Sequence, residues 1–271
     1  MMKPGTINSG NVTAKIAPVL FGLIVLITIL FFTLPLLSLV LRLTPEEFIA
    51  AIMKPEVDNA IYLSLITAAA STLVVVLIGT PLAYLNARVP YHGRDFVETL
   101  LDLPIVLPPS VAGLALLVLF GRRGLIGSHL NDMGITIIFT IFAVVLAQVF
   151  VAGPLYIRQA KTAFAMVDQS YELASRTLGA SPLITFIRIT IPLAWTGLVS
   201  GVILAFARGI GEFGATIMVA GNLPGKTQTM PLAIYGLMQS DLTASISLSI
   251  VLIGISCIIL ITIRVLAGRS L

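Results

Sequence analysis

Charge is scarce in this sequence. Asp, Glu, Lys and Arg make up 10% of its 271 residues, where soluble domains carry about a quarter. So few charges do not coat a globule of this length, which excludes an ordinary soluble domain. Cysteine is rarer still. Cys257 stands alone inside an apolar run, which excludes a disulfide framework or a cysteine metal site and leaves it a small helix-packing residue. The two histidines, His92 and His129, lie in separate loops without a partner at helical spacing, and His-Glu-x-x-His is missing, which argues against a metal-dependent intramembrane hydrolase. No Gly-x-x-x-x-Gly-Lys-Ser/Thr loop is present to cradle ATP phosphates, so any ATP-derived energy comes from another chain. Lys and Arg outnumber Asp and Glu by 16 to 12, but they never form a K/R-rich block. That is a membrane-topology signal and not a nucleic-acid surface.

What the sequence has in abundance is long apolar runs. The residues AVILMFWYC make up 58% of it, in stretches of about 20 or more, the length a helix needs to cross hydrocarbon. The alternating pattern of a membrane β-barrel is missing. The fold class is therefore all-α: a single polytopic domain over residues 1–271, with six spans at about 16–41, 59–85, 103–120, 135–157, 191–220 and 243–266. The first run is roughly twice the length of a signal-peptide core and no small-x-small cleavage pattern follows it, so it is expected to stay as a membrane helix. Lys3, Lys15, Arg88, Arg94, Arg158, Lys161, Arg176, Arg188, Arg264 and Arg269 fall on one side, against Arg42, Lys54, Arg122, Arg123 and Lys226 on the other. Basic residues favour the cytoplasmic side, so both termini are expected there, in a multi-pass protein of the cell membrane.

Local signals add detail. Thr44-Pro45-Glu46-Glu47 is a capping box with proline at the first helical position and predicts a short surface helix. Thr80-Pro81 and Pro104-Ile105-Val106-Leu107-Pro108-Pro109 remove helical hydrogen bonds around the second and third spans. They read as a kinked start to the third span or as a pore-lining break. The longest polar stretch, Arg158 to Thr190, is organised as a helix of about residues 169–178. Asp168 is its expected N-cap, Gly179 its left-handed close, and Ser181-Pro182 starts the next helix. On it Tyr171, Ala174 and Leu178 form an apolar stripe, while Glu172 and Arg176 are spaced to pair. An exposed stripe needs something to dock against; a helix lying on the membrane surface is the alternative.

This stretch resembles the cytoplasmic signature of the inner-membrane permease subunits of ABC importers: Glu-Ala-Ala, three residues, Gly, nine residues, then Ile-x-Leu-Pro. Leu173-Ala174-Ser175 stands at the Glu-Ala-Ala positions, followed by Gly179, Ile189 and Ile191-Pro192, with Glu172 one position early. The resemblance implies a type I importer permease fold in which Glu172, Leu173, Ala174, Ser175, Gly179, Ile189 and Pro192 belong to a coupling helix and its approach, seated in a cleft of an ATP-binding subunit.

The fifth run carries Ala207-Arg208-Gly209-Ile210-Gly211-Glu212-Phe213-Gly214-Ala215-Thr216, two charges in an apolar span. Such charges are costly in lipid and face a bundle interior or an aqueous path. Arg208 and Glu212 are four apart and positioned to neutralise each other, and three glycines in six residues permit close approach or unwinding. A path role for Arg208, Gly211, Glu212, Gly214 and Thr216 and a purely stabilising ion pair both fit. Gly-Glu-Phe-Gly-Ala-Thr, the segment Ala220 to Thr229, Thr80 to Tyr84, Leu103 to Pro109 and Phe120 to Gly124 are similar to the molybdate or tungstate branch of that family, with sulfate permeases close by. The implied partners are two copies of an ATP-binding cassette subunit, a second copy of this chain, an extracytoplasmic solute-binding protein, the oxyanion and the lipid bilayer. No cofactor is expected on this chain, with ATP and Mg on the ATPase. Arg122, Arg123, Lys226, Thr227 and Thr229 are candidates to attract or contact the anion on the outer face; for the arginine pair, docking of a binding protein or ordinary solvated charge fits equally. A transporter working alone on an ion gradient is the rival from another class.

Overall fold

The computed structural model describes residues 9–268; Lys3 and Arg269, counted above toward the placement of the termini, lie outside them. Among the described residues every regular element is helical. The helix α1, Ser9–Leu41, contains an apolar stretch from Leu20 to Leu41 with no buried residue. Its hydroxyls turn inward for lack of water, Thr28 donating to the Ile24 carbonyl and Thr33 to that of Ile29. The capping box closes as expected, with the Thr44 amide donating to Glu47 Oε2 at 2.9 Å and the Glu47 amide to Thr44 Oγ1 at 3.3 Å. It starts α2, Pro45–Ile52.

The remaining chain is a bundle built around α3 (Pro55–Arg88) and α7 (Ile141–Met166). Against them pack α10 (Ile191–Ile210), α11 (Gly214–Ala220) and α13 (Leu242–Gly268). The helix surfaces that meet are small: Ala60, Ala68 and Ala83 on α3, Ala143, Ala147, Ala152, Ala160 and Ala163 on α7, Ala194 and Ala205 on α10 are all buried. Leu73, Leu77, Ile78, Leu193 and Ile258 are turned out. Lipid is as apolar as leucine, so large side chains gain little by being buried. Small ones let backbones approach and gain dispersion contacts.

Several expected boundaries shift, each for a local reason. The run expected as a third span over 103–120 is two helices, α4 (Arg94–Val106) and α5 (Pro109–Phe120), bent by 113° at Leu107-Pro108. Pro108 and Pro109 supply no amide hydrogens and push the preceding residues into extended conformations, so the helix cannot run through. Among the described residues five helices are long and apolar enough to cross a membrane, or six if this bent pair is one span. The fourth span begins at Ile141 rather than Ile135 and extends to Met166, so the first nine residues of the expected polar loop continue α7. The fifth is not one helix over 191–220: α10 stops at Ile210 and α11 restarts at Gly214. Between α5 and α7 lies the short α6, Gly127–Asp132.

An unexpected helix, α12, fills Met230–Ser240. Its 11 residues are too few to span, which hid it among membrane-length runs, but Thr229 followed by Pro231 is an ordinary helix start. Met230, Leu232 and Ala233 are buried, and the Met230 amide donates to Ser64 Oγ on α3 at 2.6 Å. Where α12 ends, Asp241 accepts from the Ala244 amide at 3.1 Å, capping α13, and forms an ion pair with Lys54 ahead of α3. The Lys54 ammonium holds the Asp241 carboxyl below the usual carboxylate range, and Asp241 in turn raises the lysine. The clasp is thus lost only as pH falls below the ordinary aspartate value or rises above the ordinary lysine value, and is flat between. Asp241→Ala removes a cap worth about 1 kcal/mol. It should lower the thermal midpoint of the detergent-solubilised protein by about 2–4 °C, measured by dye-based melting.

Candidate functional site

Two constructions concentrate the polar chemistry of the bundle. The first holds a short helix off the end of α7. Asp168 Oδ1 accepts from the Ser170 amide at 2.8 Å and starts α8, Gln169–Thr177, and hydrogen bonding from Ser170 lowers the Asp168 carboxyl below its ordinary value. Gly179 ends the helix at φ +89° with its amide on the Arg176 carbonyl, a conformation costly for any residue with a Cβ. Ser181 then caps α9, Pro182–Thr185, by accepting from the Ile184 amide at 3.3 Å. A π-helical turn over Phe186–Thr190 leads into α10. Pro192 has no N–H to give the Arg188 carbonyl, and the wider turn at this point relieves the α-helical ladder. Ile189 lies in that turn and Pro192 opens α10.

Glu172 does not pair with Arg176 as its spacing suggested. Its side chain turns into the bundle, 8% exposed, and meets Arg88 at the end of α3 with N–O distances of 3.0 and 3.1 Å. The Thr190 hydroxyl donates to Glu172 Oε1 at 3.0 Å and the Tyr84 hydroxyl to Oε2 at 3.3 Å. Arg88 also donates to the Val167 carbonyl at 2.8 Å, gripping the chain just before the cap. A buried carboxylate needs this many partners, and a lone exposed arginine one turn along α8 cannot supply them. Below it Tyr84, Phe164 and Phe186 stack with ring centroids 4.6 to 5.9 Å apart. Ser175 and Thr185 join hydroxyls at 3.1 Å. With Glu172 and Ser175 facing in, Tyr171, Leu173, Ala174 and Leu178 face out, Leu178 at 89% exposure.

The second construction is a crossing of two broken helices. Arg208 Nη1 lies 2.7 Å from Glu212 Oε2, and Glu212, 1% exposed, uses Oε1 to accept from the Ala215 amide at 2.8 Å. One carboxylate therefore neutralises the cation that ends α10 and caps α11. The break at Gly211 to Phe213 faces the break at Leu107-Pro108. A Cβ on Gly214 would lie 2.6 Å from Pro109 Cβ, and one on Gly113 would lie 2.7 Å from Met218 Cβ and 2.8 Å from the Ala215 carbonyl oxygen. Arg208 lines a cavity of about 130 Å³ with Pro104, Ile105, Leu107, Pro109, Val151 and Leu155. Thr216 is buried beside the crossing with its hydroxyl unpartnered.

The expected outer-face residues come from two turns and the start of a helix. Arg122 and Arg123 sit in the turn after α5, and Lys226 in the turn between α11 and α12. Thr227 is buried and closes that turn, donating to the Ala220 carbonyl at 2.9 Å and accepting from the Leu223 amide at 3.2 Å. Thr229 is buried at the start of α12 with its hydroxyl unpartnered. Neither hydroxyl faces solvent. Arg88, Tyr84 and Thr190 were not singled out from the sequence as site residues. The available signal was a single arginine closing an apolar span opposite a helix carrying a glutamate.

An all-helical membrane bundle with a short helix pinned to one end is the architecture of an ABC importer permease. Two solved transporters share it: the crystal structure of a bacterial ABC transporter that imports the acidic polysaccharide alginate (TM-score 0.69, 14% identity, 96% of each chain) and the MetNI methionine ABC transporter (TM-score 0.57, 17% identity, 77% of this chain and 94% of that one). Residues 76–269 match the model of binding-protein-dependent transport system inner membrane components, and the chain belongs to that family. It is 42% identical over 233 residues to the molybdenum transport system permease protein ModB of Mycobacterium tuberculosis, covering 86% of this chain and 88% of that one. It is 43% identical over 183 residues to ModB of Escherichia coli (67% and 80%), and 36% identical over 251 residues to the probable transport system permease protein NifC of Clostridium pasteurianum (92% and 88%).

Proposed function

We infer that this chain is the channel-forming subunit of an ATP-driven importer that takes molybdate or tungstate from an extracytoplasmic binding protein and releases it into the cytoplasm. The observation that carries the cargo is the similarity to molybdenum permeases over most of the chain. The outward apolar face of α8, locked in place by Glu172 and Arg88, supports the energy source. In this reading two copies of the chain form the pore and each α8 seats on one ATP-binding subunit, where ATP and Mg bind. The α8 end and both termini face the cytoplasm. ATPase closure moves α8 and, through α7 and α10, opens and closes the crossing of broken helices by alternating access. Arg208 offers the dehydrating dianion a cation there, where hydrocarbon offers nothing, and Arg122, Arg123 and Lys226 concentrate anions at the outer mouth.

The test is uptake into proteoliposomes containing this chain, its ATPase and its binding protein, with metal content read by mass spectrometry. Molybdate or tungstate should enter only with internal-facing ATP, and a tenfold excess of sulfate should leave the rate nearly unchanged. Equal competition by sulfate would move the cargo to the sulfate branch. ATP-independent uptake by the chain alone would favour the stand-alone transporter instead.

A further inference from the structure

A polar cavity and an apolar groove meet in the cleft between α3, α4 and α7, at the end of the bundle that carries α8. The polar cavity, about 140 Å³, is lined by Asn86, Glu98, Leu101, Asp102, Ile157, Arg158 and Lys161. The groove, about 230 Å³, shares Leu101 and Ile157 with it and is otherwise apolar, running past Gly79, Val75 and Val74 on α3, Gly153 and Val149 on α7, and Pro104 on α4. The order is the same on both long helices: polar at the α8 end, apolar toward the middle. From Asn86 to Val74, and equally from Lys161 to Val149, the path is about 18 Å at 1.5 Å per residue. One leaflet of hydrocarbon is about 15 Å deep.

The charges in the cavity are of both signs and only partly used. Glu98 is held by Arg94 at 2.9 Å and Lys161 at 2.7 Å. Arg158 and Asp102 take part in no ion pair among the described residues. Asn86 spends its carbonyl on the Tyr91 hydroxyl at 2.6 Å, and its amide nitrogen has no hydrogen-bond acceptor among the described residues. A head group that fits must carry a phosphate for Arg158, Lys161 and the Asn86 amide, and an ammonium for Asp102. It must also be joined to a chain that lies in the groove. A cavity of about 150 Å³ holds a benzene-sized group, which is the scale of such a head.

We propose that this cleft is a binding site for one aminophospholipid of the phosphatidylethanolamine class, its head in the Asp102–Arg158 cavity and one acyl chain along the Gly153 groove. The lipid wedges α4, none of whose residues is buried, against α7. It thereby sets the position of the α4–α5 bend. A peptide segment from a partner is disfavoured, because its backbone amides would go unpaired in the apolar groove.

Native mass spectrometry of the intact transporter complex, exchanged into detergent with palmitoyl-oleoyl phosphatidylethanolamine or the matching phosphatidylglycerol, tests this. Each copy of the chain should retain a phosphatidylethanolamine under activation that strips the rest, and should retain phosphatidylglycerol at least about tenfold less. A tenfold ratio corresponds to about 1.4 kcal/mol. Gly153→Leu fills the groove and should abolish retention. Gly153→Ala, whose Cβ meets only Val75 Cγ2 at 3.8 Å, should keep it. Arg158→Ala should weaken both lipids, and Asp102→Asn should erase the preference between them without touching the groove. Equal retention of the two lipids by the unaltered chain overturns the proposal. So does unchanged retention in Arg158→Ala and Asp102→Asn, whether or not Gly153→Leu folds.

Discussion

Glu172→Ala is expected to disconnect ATP hydrolysis from transport while the bundle still inserts. The carboxylate is the only charge facing Arg88 within 4 Å among the described residues, and both side chains are 8% exposed. Removing one member of such a pair strands the other and costs about 3–5 kcal/mol. Much of that cost falls on α8, because Glu172 is the one residue of the helix that is buried, and Arg88, Tyr84 and Thr190 converge on it from α3 and the π-helical turn. With the anchor gone, α8 keeps its Asp168 cap but loses its fixed orientation, and the outward face of Tyr171, Leu173 and Leu178 no longer holds one pose for the proposed ATPase. Co-purified ATPase should fall by at least about tenfold and ATP-driven uptake by more, with membrane insertion unchanged, since the cost of a stranded charge exceeds the roughly 1.4 kcal/mol that a factor of ten represents. Glu172→Gln, which keeps hydrogen-bonding atoms for Tyr84 and Thr190, should fall between. A merely structural Glu172 would lower expression and thermal stability together with uptake, and would leave binding-protein stimulation of the surviving ATPase activity intact. Loss of that stimulation is the readout that separates the two.

What was legible in the sequence followed from rules that depend on neighbours along the chain. Asp168, Gly179, Ser181 and the Thr44 box are read over three or four residues, and each does in space what its pattern predicts. Span existence is equally local, since hydrocarbon thickness sets the length of an apolar run. What failed depends on partners distant in sequence. Arg88 and Glu172 are 84 residues apart. Spacing alone therefore gave Glu172 to Arg176, the only basic residue within a turn. The bends at Pro108 and at Gly211 to Phe213 were visible as helix-breaking residues, but their meeting, Pro109 against Gly214, is a tertiary fact. Hydropathy reads both halves of a broken span as one run, and it passes over α12 because a half-buried helix of 11 residues has neither membrane length nor strong polarity.

At the crossing, Arg208→Ala is expected to abolish uptake by two routes, lost cargo contact and lost scaffolding, that a second substitution can divide. Glu212 is 1% exposed and its Oε2 faces only Arg208 among the basic groups of the described residues within 4 Å, so the single variant leaves a carboxylate buried without its countercharge. That costs about 3–5 kcal/mol. The stranded charge lowers the thermal midpoint and disturbs the α11 start, where Oε1 receives the Ala215 amide. In Arg208→Ala combined with Glu212→Gln the stranded charge is gone, while the glutamine carbonyl still accepts from Ala215. Stability should therefore return to within about 1 kcal/mol of the unaltered chain, the usual scale for a replaced hydrogen bond. If Arg208 is the cation that a dianion meets on its way through, uptake stays at least about tenfold down in this stable double variant, because a neutral crossing offers the anion no charge-assisted partner. Arg208→Lys alone should keep part of the rate. If uptake instead recovers together with the melting temperature, the pair is a strut between α10 and α11, and the anion passes without touching it.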